Sequence, residues 1–159
     1  MNRNDVCFRQ WRSVDPIVMV GVQCEGNRTF FLSDDENRYS GMPITIESVR
    51  FSVDRCETGD VWVKVLHSGP LTVRSCVMDG PMGRRVIPIQ FGPKNHPELH
   101  TQSACIIEAN QWRTDVPAEE AIQFPNETTP HGLFIPDKFI FGNKTERSDG
   151  FYKVQNIIT

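Results

Sequence analysis

Residues 60–77 read Asp-Val-Trp-Val-Lys-Val-Leu-His-Ser-Gly-Pro-Leu-Thr-Val-Arg-Ser-Cys-Val. Val61, Val63 and Val65 alternate with Trp62, Lys64 and Leu66, and Leu71, Val73 and Ser75 alternate with Thr72, Arg74 and Cys76. A period of two places successive side chains on opposite faces of a strand, whereas a helix would need apolar residues every three or four positions. His67-Ser68-Gly69-Pro70 between the two runs has turn chemistry, so residues 60–77 predict a β-hairpin.

The same period extends outward. Ile44, Ile46, Val49, Phe51 and Val53 form an apolar run whose parity switches between Ile46 and Val49. A β-bulge near Glu47-Ser48 accounts for the switch, and so does a strand crossing from one sheet to another. Residues 17–22 and 29–32 form an earlier strand pair around Glu25-Gly26-Asn27, and further runs lie at 86–91, 104–109, 133–141 and 151–158. Pro136 bends part of the run at 133–141 or confines it to an edge. Helical signals are limited to one or two turns at 115–122 and a single turn at 96–100, and no internal repeat is visible. Eight or nine alternating strands must bury one face against a second sheet. The expected architecture is therefore all-β, an antiparallel β-sandwich in one domain over 1–159, with 1–15 as a loosely packed N-terminal segment. Jelly-roll, immunoglobulin-like and lipocalin-like arrangements all fit that strand count.

The chain has 159 residues, 38% hydrophobic and 23% charged, with eleven Gly and eleven Pro, which suits one domain of many short elements. No run reaches the roughly 18 apolar residues of a membrane helix, and Met-Asn-Arg-Asn-Asp-Val-Cys-Phe at the start lacks the apolar core of a signal peptide. A net charge of −3 excludes a uniformly basic nucleic-acid binder. Residues 50–94 carry 7 Lys/Arg against 4 Asp/Glu and are the net-positive part, so polyanion contacts are expected there. Cys7, Cys24, Cys56, Cys76 and Cys105 are odd in number and contain no C-x-x-C, so reduced thiols are expected, with Cys76 and Cys105 as buried apolar groups. Asn27, Asn126 and Asn143 each begin a glycosylation sequon, read here as turn chemistry.

Chemistry-bearing motifs are sparse. His96 and His100 are four apart, but Pro97 stands where a zinc protease has Glu, and no spacing brings in His131 or Cys105. No nucleophile elbow, phosphate loop or His-x-His pair occurs, so neither an enzyme nor a cofactor is expected. A metal-dependent enzyme built on His96, His100 and His131 is the third reading. The second is a β-sandwich module binding a carbohydrate or a protein, with Trp112 in a loop as the stacking platform and Trp11 and Trp62 as lesser ones. Residues 79–93, Asp-Gly-Pro-Met-Gly-Arg-Arg-Val-Ile-Pro-Ile-Gln-Phe-Gly-Pro, form a tight loop delivering Arg84 and Arg85 at the mouth of a strand. Adjacent strand residues point to opposite faces, so one arginine pairs with a carboxylate such as Asp79 while the other meets solvent or a polyanion.

Ile-Glu-Ser-Val-Arg-Phe at 46–51, Val-Trp-Val-Lys-Val at 61–65 and the loop at 79–93 together resemble the capsid jelly roll of small icosahedral viruses, of the tombusvirus-like, satellite-virus and circular-DNA-virus kinds. The resemblance spans about residues 44–93. It implies a single jelly roll, a non-enzymatic coat-like protein that self-associates in a virion or the host cytoplasm, without a membrane. Arg84, Arg85, Arg50 and Arg74 would then be the residues nearest nucleic acid or an acidic neighbour. The Arg/Lys-rich arm of such coats is missing, with only Arg3, Arg9 and Arg12 before the first strand. Leu32-Ser-Asp34 with Gly92 also matches the loose signature of virus movement proteins of the thirty-kilodalton superfamily.

Overall fold

A computed structural model describes residues 5–10, 15–33, 42–52, 55–65, 70–91, 104–124 and 137–159. The chain visits three sheets in strict rotation. The first circuit is β1 (Val6–Gln10), β2 (Ile17–Val20) and β3 (Gln23–Glu25), and the second is β4 (Thr29–Ser33), β5 (Ile44–Glu47) and β6 (Arg50–Ser52). The third comprises β7 (Val61–Val65), β8 (Leu71–Arg74) and β9 (Val77–Asp79); the fourth comprises β10 (Ile87–Phe91), β11 (Ala104–Glu108) and β12 (Gln111–Arg113). The fifth is β13 (Ile122–Gln123), β14 (Asp137–Phe141) and β15 (Lys144–Arg147). Within these circuits every strand pairs in parallel with its counterparts in the adjacent circuits, giving sheets of order β1-β4-β7-β10-β13, β2-β5-β8-β11-β14 and β3-β6-β9-β12-β15. This is a parallel β-helix, a solenoid in which each coil is held by the coils above and below. The chain then reverses: β16 (Gly150–Lys153) runs antiparallel to β15, and β17 (Ile157–Ile158) runs antiparallel to β14.

Register puts like on like. Met19, Ile46, Val73, Ile107 and Ile140 are successive partners in the second sheet, and Cys24, Phe51, Met78, Trp112 and Thr145 in the third. Stacked about 4.8 Å apart, these columns fill the interior with continuous apolar contact. The passage from second to third sheet is made by the same short corner in every coil. Gly21, Ser48, Ser75, Ala109 and Gly142 stand there with φ between 52° and 68°. A left-handed residue turns the chain sharply enough that the next side chain points inward, and glycine adopts it without steric cost. Gly21, Ser48, Ser75 and Ala109 each donate a backbone N–H to the following coil, at 3.0–3.1 Å, so the corners continue the ladder.

Two corners carry an asparagine directly after the left-handed residue. The Asn110 amide accepts the N–H of Cys76 at 2.9 Å and donates to the Val73 carbonyl at 3.0 Å and to Asn143 Oδ1 at 2.9 Å. Asn143 in turn donates to the Ile107 carbonyl at 2.7 Å and accepts the N–H of Asn110 at 3.1 Å. Side chain and backbone thus satisfy one another across the interior, and Asn143, though it begins a sequon, is buried.

This architecture corrects the antiparallel β-sandwich and the jelly roll: all three sheets are mostly parallel. The expected hairpin at 60–77 does not form. β7 pairs with β4 and β10, and β8 with β5 and β11, in different sheets. Residues 17–22 and 29–32 likewise lie in different sheets. The parity switch at Glu47-Ser48 is the crossing from one sheet to the next, at the left-handed Ser48. An internal repeat does exist: Ile17, Ile44 and Leu71 are register partners 27 residues apart. It escapes a residue-by-residue comparison because the later coils are longer, with Leu71 opposite Cys105. The expected helix at 115–122 is reduced to a single 3₁₀ turn at Ala118–Glu120. Among the described residues no helix is long and apolar enough to cross a membrane.

The expectation of reduced thiols fails at Cys7 and Cys24, which form a disulfide joining β1 to β3 across the first coil. Among the described residues β1 pairs with β4 alone, and a covalent closure of this loop size contributes about 3 kcal/mol. Cys56, Cys76 and Cys105 are free and buried. Burial pushes the Cys56 thiol up to about 12, with the Asp60 charge adding to it, and pushes Cys105 up to about 11 and Cys76 upward as well. Neutral, inaccessible thiols are poor nucleophiles. A thiol-reactive disulfide reagent at about pH 8 is therefore expected to find none of the three in the folded protein. Unfolding in urea should release all three, and reductant should raise the count to the five cysteines of the chain. Rapid labelling of the folded protein would show that the coils open around Cys56, Cys76 or Cys105.

Candidate ligand-binding site

The four arginines expected at a polyanion contact do not converge. Arg50 lies on the outer face of the third sheet, 3.3 Å from Asp79, and Arg74 on the outer face of the second, 2.8 Å from Glu47. Arg84 and Arg85 belong to no strand; both are exposed in the corner before β10, and Asp79 pairs with Arg50 instead of with either. Arg84 donates through Nη1 to the Cys56 carbonyl, and its own carbonyl accepts the N–H of Asp115 at 2.9 Å. The corner is thus a structural column. Arg28 forks onto both Asp60 oxygens at 2.7 and 2.8 Å in the same region. Burial alone would raise the Asp60 carboxyl, but the Arg28 guanidinium and the Glu57 amide outweigh it and hold Asp60 below its ordinary value.

Trp112 is no platform. It is 0% exposed, in the inward column of the third sheet between Met78 and Thr145. Trp62 is also buried, and Trp11 lies outside the described residues. His96, His100 and His131 lie outside them too, and among the described residues no cluster of three His, Cys, Asp or Glu could hold a metal.

The structure instead assembles a cleft from residues that no motif singled out. Gln111, Lys144, Phe151, Tyr152 and Lys153 line a space of about 510 Å³ on the outer side of the third sheet. Register explains it. Gln111 is the partner of Lys144, which is the partner of Lys153; in the next row Arg113 is opposite Glu146 and Glu146 opposite Phe151. Directly opposed residues share a face, so Gln111, Lys144 and Lys153 form one outward row and Arg113, Glu146 and Phe151 another. Arg113 and Glu146 pair at 3.3 Å. The Phe151 ring is left 64% exposed beside them. Tyr152, opposite Thr145, alternates to the other side of the strand, with the Arg147 guanidinium 4.9 Å from its ring centroid.

The strand carrying Phe151 and Lys153 is fixed at both ends. Ser148-Asp149 is a two-residue turn between the partners Arg147 and Gly150. Asp115, from the previous coil, accepts the Ser148 N–H at 2.7 Å and its hydroxyl at 2.9 Å. Those bonds, the backbone one first, hold the Asp115 carboxyl below its ordinary value against a small desolvation effect. At the other end Val154 donates to the Asn143 carbonyl at 3.0 Å. A site on rigid strands loses little entropy when it binds.

A second depression, among Ala118, Phe124, Ile140, Val154 and Ile157, holds about 40 Å³, room for little more than one water molecule. Comparison with protein-family models, curated proteins and solved structures gives no match.

Proposed function

We propose that the chain is a non-catalytic binding module that receives a sugar-type ligand in the cleft of Gln111, Lys144, Phe151, Tyr152 and Lys153. The observation that carries this reading is the exposed Phe151 ring, set on a rigid strand above a cleft lined by an amide and two amines. An aromatic face exposed to water gains when the C–H-bearing face of a sugar ring covers it, while amide and amine donors bond the hydroxyls around that ring. Among the described residues lining the cleft there is no carboxylate and no thiol; its titratable groups are Tyr152 and two lysines, which this reading assigns to ligand contact.

A single-stranded nucleic acid would also stack on an aromatic ring and seek lysines. The outer rows of the third sheet do not extend the lysines into a basic track. Arg50 is paired with Asp79 and Arg113 with Glu146, so Lys144 and Lys153 are the two cations there without an ion pair among the described residues, too few for a continuous phosphate chain. The coat-like reading drew its subunit geometry from a jelly roll, and the described strands between Ile44 and Phe91 instead belong to successive coils of a solenoid.

Phe151→Ala is expected to weaken binding of a β-1,4-glucan oligosaccharide about tenfold, equivalent to about 1.4 kcal/mol of lost ring contact, with the folded state unchanged because the ring faces outward. Calorimetric titration of wild type and variant, with urea midpoints as the control, reads both. An oligonucleotide that outcompetes every oligosaccharide, or a megadalton particle with nucleic-acid absorbance in light scattering, would overturn the reading.

A further inference from the structure

The outward row of the cleft places two like charges side by side. Lys144 and Lys153 are directly opposed on the antiparallel strands β15 and β16, and like charges at such a position destabilise the pair. Other cations on these faces are matched: Arg50 with Asp79, Arg74 with Glu47, Arg113 with Glu146 and Arg147 with Asp149. Among the described residues neither Lys144 nor Lys153 forms an ion pair. The nearest carboxylate by register, Glu146, already accepts from Arg113, and the third member of the row, Gln111, is neutral and can donate.

We infer that the cleft is selective for an anionic ligand, with a carboxylate or sulfate substituent of the bound sugar bridging the Lys144 and Lys153 amines while its ring covers Phe151. An anion between two ammonium groups turns a repulsion into two charge-assisted hydrogen bonds, and the Gln111 amide supplies a third donor. This inference rests on the sugar-binding reading of the same cleft and adds the charge of the ligand. Two lysines supply charge without the planar fork of arginine, so either anion geometry is accepted.

The test uses the full chain and a chemically matched pair, a β-1,4-glucan trisaccharide and the same trisaccharide oxidised at C6 to the uronate, with sodium sulfate as the sugar-free anion. The expected result is at least tenfold tighter binding of the uronate, lost on raising the salt and lost in Lys144→Gln and Lys153→Gln. Ligand-free melting supplies a second reading: each glutamine variant should melt higher than wild type, and added sulfate should raise wild type more than either variant. Equal affinity for both trisaccharides, unaffected by the lysine variants, would overturn the anion and leave the sugar-binding reading standing. Lysine-dependent stabilisation by sulfate with neither trisaccharide bound would uphold the anion and overturn the sugar. No binding of any probe, with unchanged melting in the variants, would overturn both.

Discussion

Gly80→Ala is expected to destabilise the folded chain by about 3 kcal/mol, an overpacking effect at the upper end for a single methyl group. A Cβ there would stand 2.4 Å from the Arg113 carbonyl oxygen and 2.8 Å from Cζ2 of Trp62. Neither neighbour can yield cheaply. The Arg113 carbonyl accepts the Gly80 N–H at 3.0 Å, so backing away breaks a hydrogen bond between coils, and Trp62 is enclosed on all sides. The strain falls between β9 and β12, the strand that carries Gln111 of the cleft, so ligand affinity should drop with stability. Urea unfolding followed by tryptophan fluorescence measures it directly. A midpoint within experimental error of wild type would mean that the Trp62 ring does not lie over Gly80.

Asn110→Ala should cost more, about 4 kcal/mol, because it orphans several buried groups at once. The Cys76 N–H loses its acceptor, the Val73 carbonyl loses a donor, and Asn143 loses the partner that orients its own bond to Ile107. Replacement by alanine leaves a cavity as well as unpaired polar atoms, and water is poorly placed to enter a corner walled by apolar columns. The damage should be local before it is global. Cys76, buried in the folded wild type and expected to be unreactive there, should label in the variant at urea concentrations where tryptophan fluorescence is still native. Labelling that coincides with global unfolding would show that the two asparagine corners share one cooperative unit with the rest of the solenoid.

Such effects sit where neighbouring coils touch, and that is where a reading of the chain alone runs out. Alternation in Val61–Val65 and Leu71–Arg74 correctly marks two strands, while the break at Glu47-Ser48 fits a bulge and a crossing equally, and the structure decides for the crossing. Turn chemistry at His67-Ser68-Gly69-Pro70 suggested that these strands pair with each other, yet each pairs with strands of the coils before and after. A local pattern of two describes which faces are buried and is the same for parallel and antiparallel partners. The useful signal was the recurrence of a small residue before an inward one: Gly21-Val22, Ser48-Val49, Ser75-Cys76, Ala109-Asn110 and Gly142-Asn143. Aligning on it places Trp112 in one column with Phe51 and Met78, and so inside.

By itself, then, the amino-acid order determined that the chain is built of short strands, that Cys76 and Cys105 are buried, and that the described residues hold no helix longer than a single turn. These follow from side-chain period, apolar content and the spread of glycine and proline, all of them properties of neighbours along the chain. Tertiary structure decided the parallel pairing, the Cys7–Cys24 disulfide and the cleft. Gln111 and Lys144 are 33 residues apart and belong to different coils, while Lys153 arrives by a reversal of direction after Ser148-Asp149. Their meeting depends on register between strands, set by the backbone hydrogen bonds and interior columns of the whole stack, and no single segment contains that information.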